Sequence, residues 1–401
     1  MRLAILYSHL REFGGTEGVI LKQAELLRSH GHEASCHFAY VDKRLVKGFT
    51  NYACAPKVES YFKFPVPNIE IFRIVSSIPL APLTLNTFRN MDVLICHGYG
   101  PATWIGFVTK KIKGLKYVSY IHSLPRFLHL STKMKELWRF NRTRHTLYSI
   151  SRVGGQISRK LDVLGVTNSD AVLVNSAFTA RRVKATYELE PVVCYPPIDT
   201  NVFKPVHDQI IHKTRSKFGS PLILSSGRII PIKRWEWLLE VIAYVKRTFP
   251  SAALAITGRT TRENKSYVQK LVELATSLGV RENVKFLGFL PLDELVKLYN
   301  AADIYAYPVP SEDFGLGPPE AMACGTPAVV WDDGAGPCET VINGKTGFRA
   351  RPYDIEDFAE KIMKVFDMDK LTVSKFCSEF VQKNFSCEKH LKLLEKAIGY
   401  L

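Results

Sequence analysis

Two glutamates separated by seven residues form the strongest chemical motif of the sequence. Glu312 and Glu320 lie within the stretch SEDFGLGPPEAMACGTP, residues 311–327. Pro318 and Pro319 suit the first turn of a helix, which predicts Glu312 in the preceding loop and Glu320 inside that turn. A carboxylate can accept hydrogen bonds from two neighbouring hydroxyls, as on a ribose or a hexose. The pair therefore predicts a site for a polyhydroxylated ligand. The alternative is a capping Glu320 with a solvated Glu312.

The loop between the two glutamates has the composition of an anion site. The backbone N–H groups of Gly315, Leu316 and Gly317 can point at an anion, which the N-terminus of the following helix also favours. We therefore expect the segment from Phe314 to Leu316 to contact a phosphate-bearing ligand.

Two cations in a second loop could meet the same ligand. Arg228 and Lys233 lie five residues apart in GRIIPIKR, directly after a predicted strand. A guanidinium binds phosphate oxygens as a fork and an ammonium binds them as a point charge, so both could converge on one diphosphate. By themselves these residues are equally consistent with a solvated loop.

Two weaker features lie in the first half of the chain. Gly14 and Gly15 follow the first predicted strand but do not form a dinucleotide-binding GxGxxG motif. Such glycines let a backbone approach a phosphate closely, although a plain tight turn explains them as well. His122 follows another predicted strand, where it could contact a substrate hydroxyl or only bond within its loop.

Strands and helices must position these residues, and the sequence shows them as apolar runs that alternate with helical patterns. They predict two α/β domains, each with a parallel sheet. The proline-rich segment 195–205 is unsuited to a helix or a central strand and predicts the linker. The expected domains are residues 1–200 and 206–385, with an amphipathic helix at 388–401 packing back on the first. The predicted strands of the two domains are 3–8, 34–40, 93–96, 117–121, 171–175 and 192–194, then 222–226, 253–257, 284–287, 303–307 and 328–331.

Charge and composition limit the function classes. The chain has 401 residues, 46% hydrophobic and 23% charged, which excludes a disordered or fibrous protein. The net charge of +16 indicates an anionic partner. Between Lys110 and Lys160 stand thirteen basic residues and a single acid, Glu136. Interleaved leucines and aromatics in this segment suit an anionic membrane surface. The alternatives are a solvated basic helix or a nucleic-acid-binding surface. The sequence contains no recognisable nucleic-acid-binding motif, so we do not expect a nucleic acid as a partner.

The eight cysteines form no CxxC pair, which favours reduced thiols over structural zinc. The N-terminus lacks the features of a signal peptide, and no uncharged apolar run is long enough to span a membrane. We therefore expect a cytoplasmic chain that is peripheral at the inner face of the membrane.

Together, these motifs resemble the retaining GT-B glycosyltransferases of family 4. The resemblance rests on the Glu-x7-Glu block, the GRIIPIKR loop, the N-terminal GG-x-E and the PPIDTNVF linker, and it runs from Leu3 to about Phe348. Gly334–Val341 is similar to the corresponding loop of mannosyltransferases that build lipid-linked oligosaccharides. Asp313, where the family usually has Gly, and the Pro318–Pro319 pair depart from the family pattern without removing a carboxylate.

The resemblance implies two Rossmann-like domains facing across a cleft and transfer of a hexose, with mannose favoured, from a nucleoside-diphosphate sugar. The acceptor would be a glycan or a lipid-linked molecule. The resemblance also implies that the reaction needs no metal or other cofactor. It implies front-face attack with retention of configuration. A nucleotide-sugar epimerase, a phosphorylase or an inactive lectin-like module are alternatives. The resemblance implies that Glu312 binds hydroxyls of the donor sugar and that Glu320 binds the ribose. Arg228 and Lys233 would bind the diphosphate, and Gly14 and Gly15 would line the donor phosphates. His122 would face the sugar.

Overall fold

The computed structural model describes residues 1–10, 14–42, 57–61, 80–125, 158–261 and 264–399. Two compact units account for them. One comprises Met1–Pro197 together with Cys387–Leu401, and the other comprises Ile198–Ser386. We call these the N-terminal and C-terminal domains. The division between them falls inside the proline-rich segment 195–205.

The described residues of the N-terminal domain form a seven-stranded parallel sheet, as the alternating apolar pattern predicts. Its order is β3-β2-β1-β4-β5-β6-β7. Successive strands are therefore added first on one side of β1 and then, from β4 onward, on its other side. The edge strand β3 was not predicted, because Val58 is the only apolar residue among its four and none of them is fully buried. The strands are β1 (Arg2–Leu10), β2 (Glu33–Val41), β3 (Lys57–Ser60), β4 (Val93–His97), β5 (Lys116–Ile121), β6 (Ala171–Val174) and β7 (Val192–Val193).

Helices cover this sheet and have recognisable ends. The first ends at His30, and Gly31 has a φ of 83°, which is the left-handed conformation that the His-Gly pair predicts. The Ser176 hydroxyl accepts a hydrogen bond from the Thr179 N–H at 2.9 Å and so caps another helix. Residues 158–167 are also helical. The remaining helices here are α1 (Gly15–Ser29), α2 (Pro101–Lys113) and α3 (Ala177–Tyr187).

The C-terminal domain contains a six-stranded parallel sheet. Its order is β10-β9-β8-β11-β12-β13, so this sheet reverses between β8 and β11. Five of the six strands were predicted. The sixth, β13, was not, because it has only four residues and begins at a glycine. The strands are β8 (Leu222–Ser226), β9 (Ala253–Thr257), β10 (Val284–Gly288), β11 (Ile304–Tyr307), β12 (Ala328–Trp331) and β13 (Gly347–Ala350).

The core of this domain lies between the sheet and its helices. Trp235 and Trp331 are among the largest fully buried side chains there, and the ring of Trp331 packs on Phe358 with centroids 4.5 Å apart. Pro318 and Pro319 occupy the first helical positions of α8, as predicted. The helices are α4 (Asp208–Arg215), α5 (Trp235–Val245), α6 (Lys265–Ser277), α7 (Leu292–Ala301), α8 (Gly317–Ala323), α9 (Ile355–Phe366) and α10 (Lys370–Phe385).

The last helix, α11 (Cys387–Gly399), belongs to the N-terminal domain although it follows the C-terminal one in sequence. Leu391, Leu394 and Ile398 lie on its apolar face and are buried in the core around β1. The spacing of these three residues is that of one helix face. The chain therefore passes from one domain to the other twice, at Pro197 and at Ser386.

Candidate active site

The predicted ligand residues of the C-terminal domain lie at the carboxyl ends of β8 and β11. Arg228 lies two residues after the end of β8, and Tyr307 is the last residue of β11. These two neighbouring strands flank the point where the order of the sheet reverses. In open parallel sheets, ligands bind in the crevice that forms at such a point. The fold thus places both charged loops, including Glu312, at the expected edge of the sheet.

Lys233, Glu312 and Tyr307 form a hydrogen-bonded cluster there. The Lys233 ammonium donates to a carboxylate oxygen of Glu312 at 2.6 Å and to the Tyr307 hydroxyl at 3.1 Å. The Tyr307 hydroxyl in turn donates to the same carboxylate oxygen at 3.0 Å. Burial, and secondarily the Glu312 charge, raise the pKa of Tyr307 well above its usual value, so its hydroxyl keeps its proton. The two predicted charges therefore meet each other directly.

A tight turn in the backbone directs Lys233 toward the glutamate. Pro231–Lys233 form a single 3-10 turn, and Arg234 has a φ of 54° before helix α5 begins. The indole N–H of Trp235 donates to the carbonyl oxygen of Arg228 at 3.2 Å and holds the start of this loop. The Arg228 side chain itself is exposed. The loop is therefore ordered by its own packing, with one cation held inward and the other at the surface.

The loop that carries Glu312 is anchored from both sides. The carbonyl oxygen of Glu312 accepts a hydrogen bond from the Gly336 N–H at 2.9 Å. The neighbouring Phe314 is 2% exposed and packs on Phe385, with ring centroids 5.8 Å apart. The Phe314 ring thus supports the loop by packing. Its contact with the nucleotide sugar stays a prediction.

Glycine is required on this loop because tyrosine rings lie against the backbone. Gly315 has a φ of 77°, and a Cβ atom there would lie 2.9 Å from the Tyr307 ring. A Cβ atom at Gly317 would lie 2.0 Å from the Tyr305 hydroxyl. These contacts bring the predicted anion-binding backbone, including Leu316 as the residue before helix α8, close to the carboxyl end of β11.

Glu320 belongs to a second polar chain. A Glu320 carboxylate oxygen accepts a hydrogen bond from the Tyr299 hydroxyl at 2.9 Å. The Tyr299 hydroxyl lies 2.9 Å from the Ser226 hydroxyl, which lies 2.9 Å from the Tyr305 hydroxyl. Burial raises the pKa of Glu320 to about 7, and the bond from Tyr299 opposes this shift only in part. The carboxylate is thus held against a tyrosine and is easily protonated near neutral pH.

The tyrosines and the serine that hold the two glutamates were not predicted from the sequence. The available signal was Tyr305 and Tyr307 at alternate positions of a short strand otherwise made of small or apolar residues. Their rings stack with centroids 6.2 Å apart, so both hydroxyls point to the same region. Tyr299 lies on a helix and Ser226 ends another strand, so neither could be assigned without the fold.

In the N-terminal domain, the predicted residues also lie at the carboxyl edge of the sheet. Gly14 is the residue before helix α1, and Gly15 is its first residue. His122 follows β5 directly, and its ring bonds to His97, the last residue of β4. Gly14 and Gly15 therefore lie at the start of a helix, and His122 is one of two histidines whose rings are in contact.

Among the residues described by the structure, no group of three or more His, Cys, Asp or Glu side chains is arranged to hold a metal ion. The predicted metal independence of the reaction remains a prediction. No helix in the described ranges has both the length and the apolar character needed to cross a membrane. Of the basic segment 110–160, residues 126–157 lie outside the described part of the chain.

Family models match both domains of the chain. The model described as Glycosyltransferase Family 4 matches residues 13–202. The model described as Glycosyl transferases group 1 matches residues 206–382, which include both glutamates and the Lys233 loop. The chain belongs to glycosyltransferase family 4. This confirms the resemblance to family 4 seen in the sequence motifs, while the likeness to mannosyltransferases stays a prediction.

Curated relatives of this family 4 protein include D-inositol 3-phosphate glycosyltransferases. The protein of that name from Corynebacterium aurimucosum is 31% identical over 260 residues, which are 60% of this chain and 61% of that protein. The Mycolicibacterium smegmatis protein is 32% identical over 221 residues, or 53% of this chain and 49% of that one. The chain thus matches between about half and three fifths of the length of these relatives.

Solved structures resemble the whole chain. HepE of Anabaena in complex with UDP has a TM-score of 0.79 and 21% identity, with 100% of both chains covered. Sucrose-phosphate synthase from Thermosynechococcus elongatus has a TM-score of 0.78 and 18% identity over 100% of this chain and 98% of that one. With two parallel-sheet domains of seven and six strands, the family 4 protein has the GT-B fold, as predicted.

Proposed function

We propose that this protein transfers a glycosyl unit from a nucleoside-diphosphate sugar to a hydroxyl acceptor. The observation that carries the proposal is the Lys233–Glu312–Tyr307 cluster, which lies beside β8 and β11 where the sheet reverses. A lysine paired with a glutamate at a ligand crevice offers a cation for phosphate and a carboxylate for sugar hydroxyls within one site. HepE of Anabaena, which shares the fold, has been solved with UDP and with UDP-glucose, which supports a nucleotide-sugar donor.

The residues divide the chemistry of the donor between them. Cleavage of the sugar–phosphate bond develops negative charge on the diphosphate, which the Lys233 ammonium and the exposed Arg228 guanidinium would stabilise. Lys233 has three N–H donors, and the contacts with Glu312 and Tyr307 use two of them. The third can therefore meet a phosphate oxygen while the glutamate stays in place. Glu320 would accept the hydrogen bonds of the ribose hydroxyls.

The donor sugar and the stereochemistry are further parts of the proposal. We propose retention through front-face attack, because the sequence offers no well-placed catalytic nucleophile and the leaving phosphate can assist the acceptor. Mannose is the favoured hexose because of the likeness of the loop Gly334–Val341 to that of mannosyltransferases. In the structure this loop holds Glu312 through the Gly336 N–H, so the loop is adjacent to the residue assigned to the sugar.

For the acceptor, two chemical classes have support. The curated relatives are named for D-inositol 3-phosphate, a phosphorylated polyol. The basic segment 110–160 instead favours a lipid-linked acceptor at an anionic membrane surface. Its described part contributes exposed lysines on helix α2, although the Lys110 ammonium is paired with Asp170 at 2.5 Å. We favour the membrane acceptor and localisation at the inner face of the membrane, and we test the phosphorylated polyol beside it.

The first experiment identifies the nucleotide. Purified full-length protein is mixed with GDP, UDP or ADP and with their sugar conjugates, and its melting temperature is recorded. A ligand that binds only the folded state raises that temperature, so one base should give the largest rise. No rise with any nucleotide or conjugate would contradict the proposal.

The second experiment measures transfer. The selected donor is incubated with inositol 3-phosphate or with lipid-linked oligosaccharide in anionic or neutral vesicles, with and without EDTA. We expect transfer to survive EDTA and to favour anionic vesicles at low salt. Glu312→Gln is the inactive control. Release of free sugar or an isomerised donor without acceptor modification would instead support a hydrolase or an epimerase.

A further inference from the structure

Two histidines touch at the carboxyl end of the N-terminal sheet. Nδ1 of His97, the last residue of β4, lies 2.8 Å from Nε2 of His122, which follows β5. The ring centroids are 5.1 Å apart with an angle of 27° between the planes. The His122 carbonyl oxygen accepts a hydrogen bond from Asn175 at 2.8 Å, which fixes its backbone. The family resemblance assigns His122 to the sugar and gives no role to His97.

One proton must occupy this contact. Burial lowers the pKa of His122 to about 3 and that of His97 well below its usual value, so both rings are neutral at neutral pH. A neutral imidazole carries one N–H donor and one acceptor nitrogen. The bond therefore has two arrangements. His97 donates through Nδ1, or His122 donates through Nε2.

The other nitrogen of His97 decides between them. His97 is 1% exposed, and its Nε2 atom has no hydrogen-bond partner among the described residues. If His122 donated, His97 would carry its proton on this atom as a buried N–H without an acceptor, which is rare in folded proteins. If His97 donates, the atom carries only a lone pair. The arrangement with His97 as donor leaves no buried N–H unsatisfied.

The proton of His122 then lies on its outer nitrogen. His122 is partly exposed, and within the described ranges no hydrogen bond to its Nδ1 atom is found. The Tyr120 ring stacks on His97 with centroids 5.0 Å apart and restrains the inner ring. The buried ring of His97 is thus fixed by its packing. Its hydrogen bond determines which ring nitrogen of His122 carries the proton and can donate.

We propose that His97 is a positioning residue that holds His122 as the Nδ1–H tautomer, so that His122 donates a hydrogen bond to an oxygen of the donor sugar. The tautomer depends on the N-terminal domain alone, whereas its use on a sugar rests on the proposed function. Replacing His97 by Asn keeps a donor, because the Asn amide nitrogen occupies nearly the place of Nδ1. Replacing it by Phe keeps a ring for stacking on Tyr120 but removes the donor.

Nuclear magnetic resonance of protein labelled with 15N-histidine tests the tautomer without any substrate. Long-range 1H–15N spectra distinguish Nδ1–H from Nε2–H, and the His122 signals are identified by their loss in His122→Gln. We expect Nδ1–H in the wild type and in His97→Asn, and a shift of the proton toward Nε2 in His97→Phe. Nε2–H in the wild type overturns the proposal, and this spectrum is decisive even if a variant fails to fold.

Kinetics test the use of the tautomer. With the donor selected by the melting screen, His97→Phe should lower kcat on the order of tenfold, the rate equivalent of one ordinary hydrogen bond. The affinity for the bare nucleoside diphosphate should not change, and His97→Asn should recover most of the rate. Equal loss in both variants overturns the positioning role. If the wild type transfers no sugar, the proposed function fails, while the spectra still report on the tautomer.

Discussion

The carboxyl group of Glu320 titrates close to neutral pH, and this gives the proposed nucleotide site a pH dependence. Burial raises its pKa from 4.5 to about 7 in the empty protein. Ribose hydroxyls donate hydrogen bonds and therefore favour the ionised carboxylate. Nucleotide binding should then release a proton. We expect the affinity for the nucleoside diphosphate to be constant above pH 8 and to fall about tenfold per pH unit below pH 7.

The same shift affects stability with the opposite sign. A carboxyl group whose pKa is raised on folding stabilises the fold fully below about 4.5, and this contribution is lost as the pH rises through about 7. Glu320→Gln should therefore raise the melting temperature of the empty protein at pH 8 relative to the wild type and abolish the pH dependence of nucleotide affinity. Differential scanning calorimetry at pH 8 measures the melting temperature, and isothermal titration at several pH values measures the affinity. An unchanged pH profile in Glu320→Gln would contradict the assignment.

The two glutamates should also differ in their kinetics. Glu320 is assigned to the ribose, which is bound alike in ground and transition states, so Glu320→Gln should mainly raise the donor KM. Glu312 is assigned to the reacting sugar, and misplacement of that ring should lower kcat on the order of 10²-fold. Because Glu312 pairs with Lys233 at 2.6 Å, Glu312→Gln also leaves the ammonium more available to phosphate.

Calorimetry with the bare nucleoside diphosphate separates these roles. Its affinity should be unchanged or higher in Glu312→Gln and lower in Glu320→Gln, with both titrations run at pH 8 so that Glu320 is ionised. Similar weakening in both variants would show that the assignment of sugar and ribose is wrong.

Sequence motifs identified the charged residues of this site but not its geometry. The Pro318–Pro319 pair suits the first turn of a helix, so the Glu-x7-Glu spacing predicts Glu312 in the preceding loop and Glu320 inside that turn. The pairing of Lys233 with Glu312 depends on loops that are 79 residues apart, so it follows only from the order of the strands. The supporting tyrosines resemble ordinary core residues in sequence, because a buried hydroxyl shows its role only through its partner.

At the scale of elements, the start of helix α8 depends on close contact with strand β11. A Cβ atom at Gly317 would lie 2.0 Å from the hydroxyl and 2.7 Å from the ring of Tyr305. Gly317→Ala should therefore displace helix and strand and lower the free energy of unfolding by about 1–3 kcal/mol. Because Tyr305 bonds to Ser226, nucleotide affinity should fall as well. Urea unfolding and nucleotide titration measure the two effects.

Gly18 provides a matched control on another helix. It lies in α1, and nothing would lie within 4 Å of an added Cβ atom. Gly18→Ala should leave stability unchanged or raise it by about 0.5–1 kcal/mol, because alanine favours the helix. Equal stability of Gly317→Ala and Gly18→Ala would show that the tyrosine contact is not a constraint.

Most elements follow from the sequence because each buried parallel strand is a compact apolar run between turns. The strands that escaped prediction lie at the edges of the two sheets. In β3, the sequence KVES alternates without an apolar face, and β13 starts at Gly347 with a φ of 132°. Such strands are specified by pairing with the neighbour, as β12 pairs with β13, rather than by their own composition.

At the scale of the whole molecule, the N-terminal domain is completed only by the end of the chain. Helix α11 closes the core around β1, and the buried His390 on it bonds to the carbonyl oxygen of Tyr195 at 2.6 Å and to Gln23 at 3.0 Å. Burial lowers the pKa of His390 to about 4, so this contact is made by a neutral ring at neutral pH. The domain therefore includes residues more than 180 positions after Pro197.

This dependence predicts that a substitution near the C-terminus destabilises the N-terminal domain. Leu394 is fully buried there, so Leu394→Ala should lower the free energy of unfolding of that domain by about 2–5 kcal/mol. Leu371 on α10 is 83% exposed, and Leu371→Ala should change stability by less than about 0.5 kcal/mol. Hydrogen exchange during urea unfolding reports on each sheet separately. In Leu394→Ala, amides of β1 and β4 should exchange at lower urea, while those of β8 and β11 keep wild-type protection. Because α11 packs on the N-terminal core, loss of protection in β8 and β11 alone would contradict this prediction.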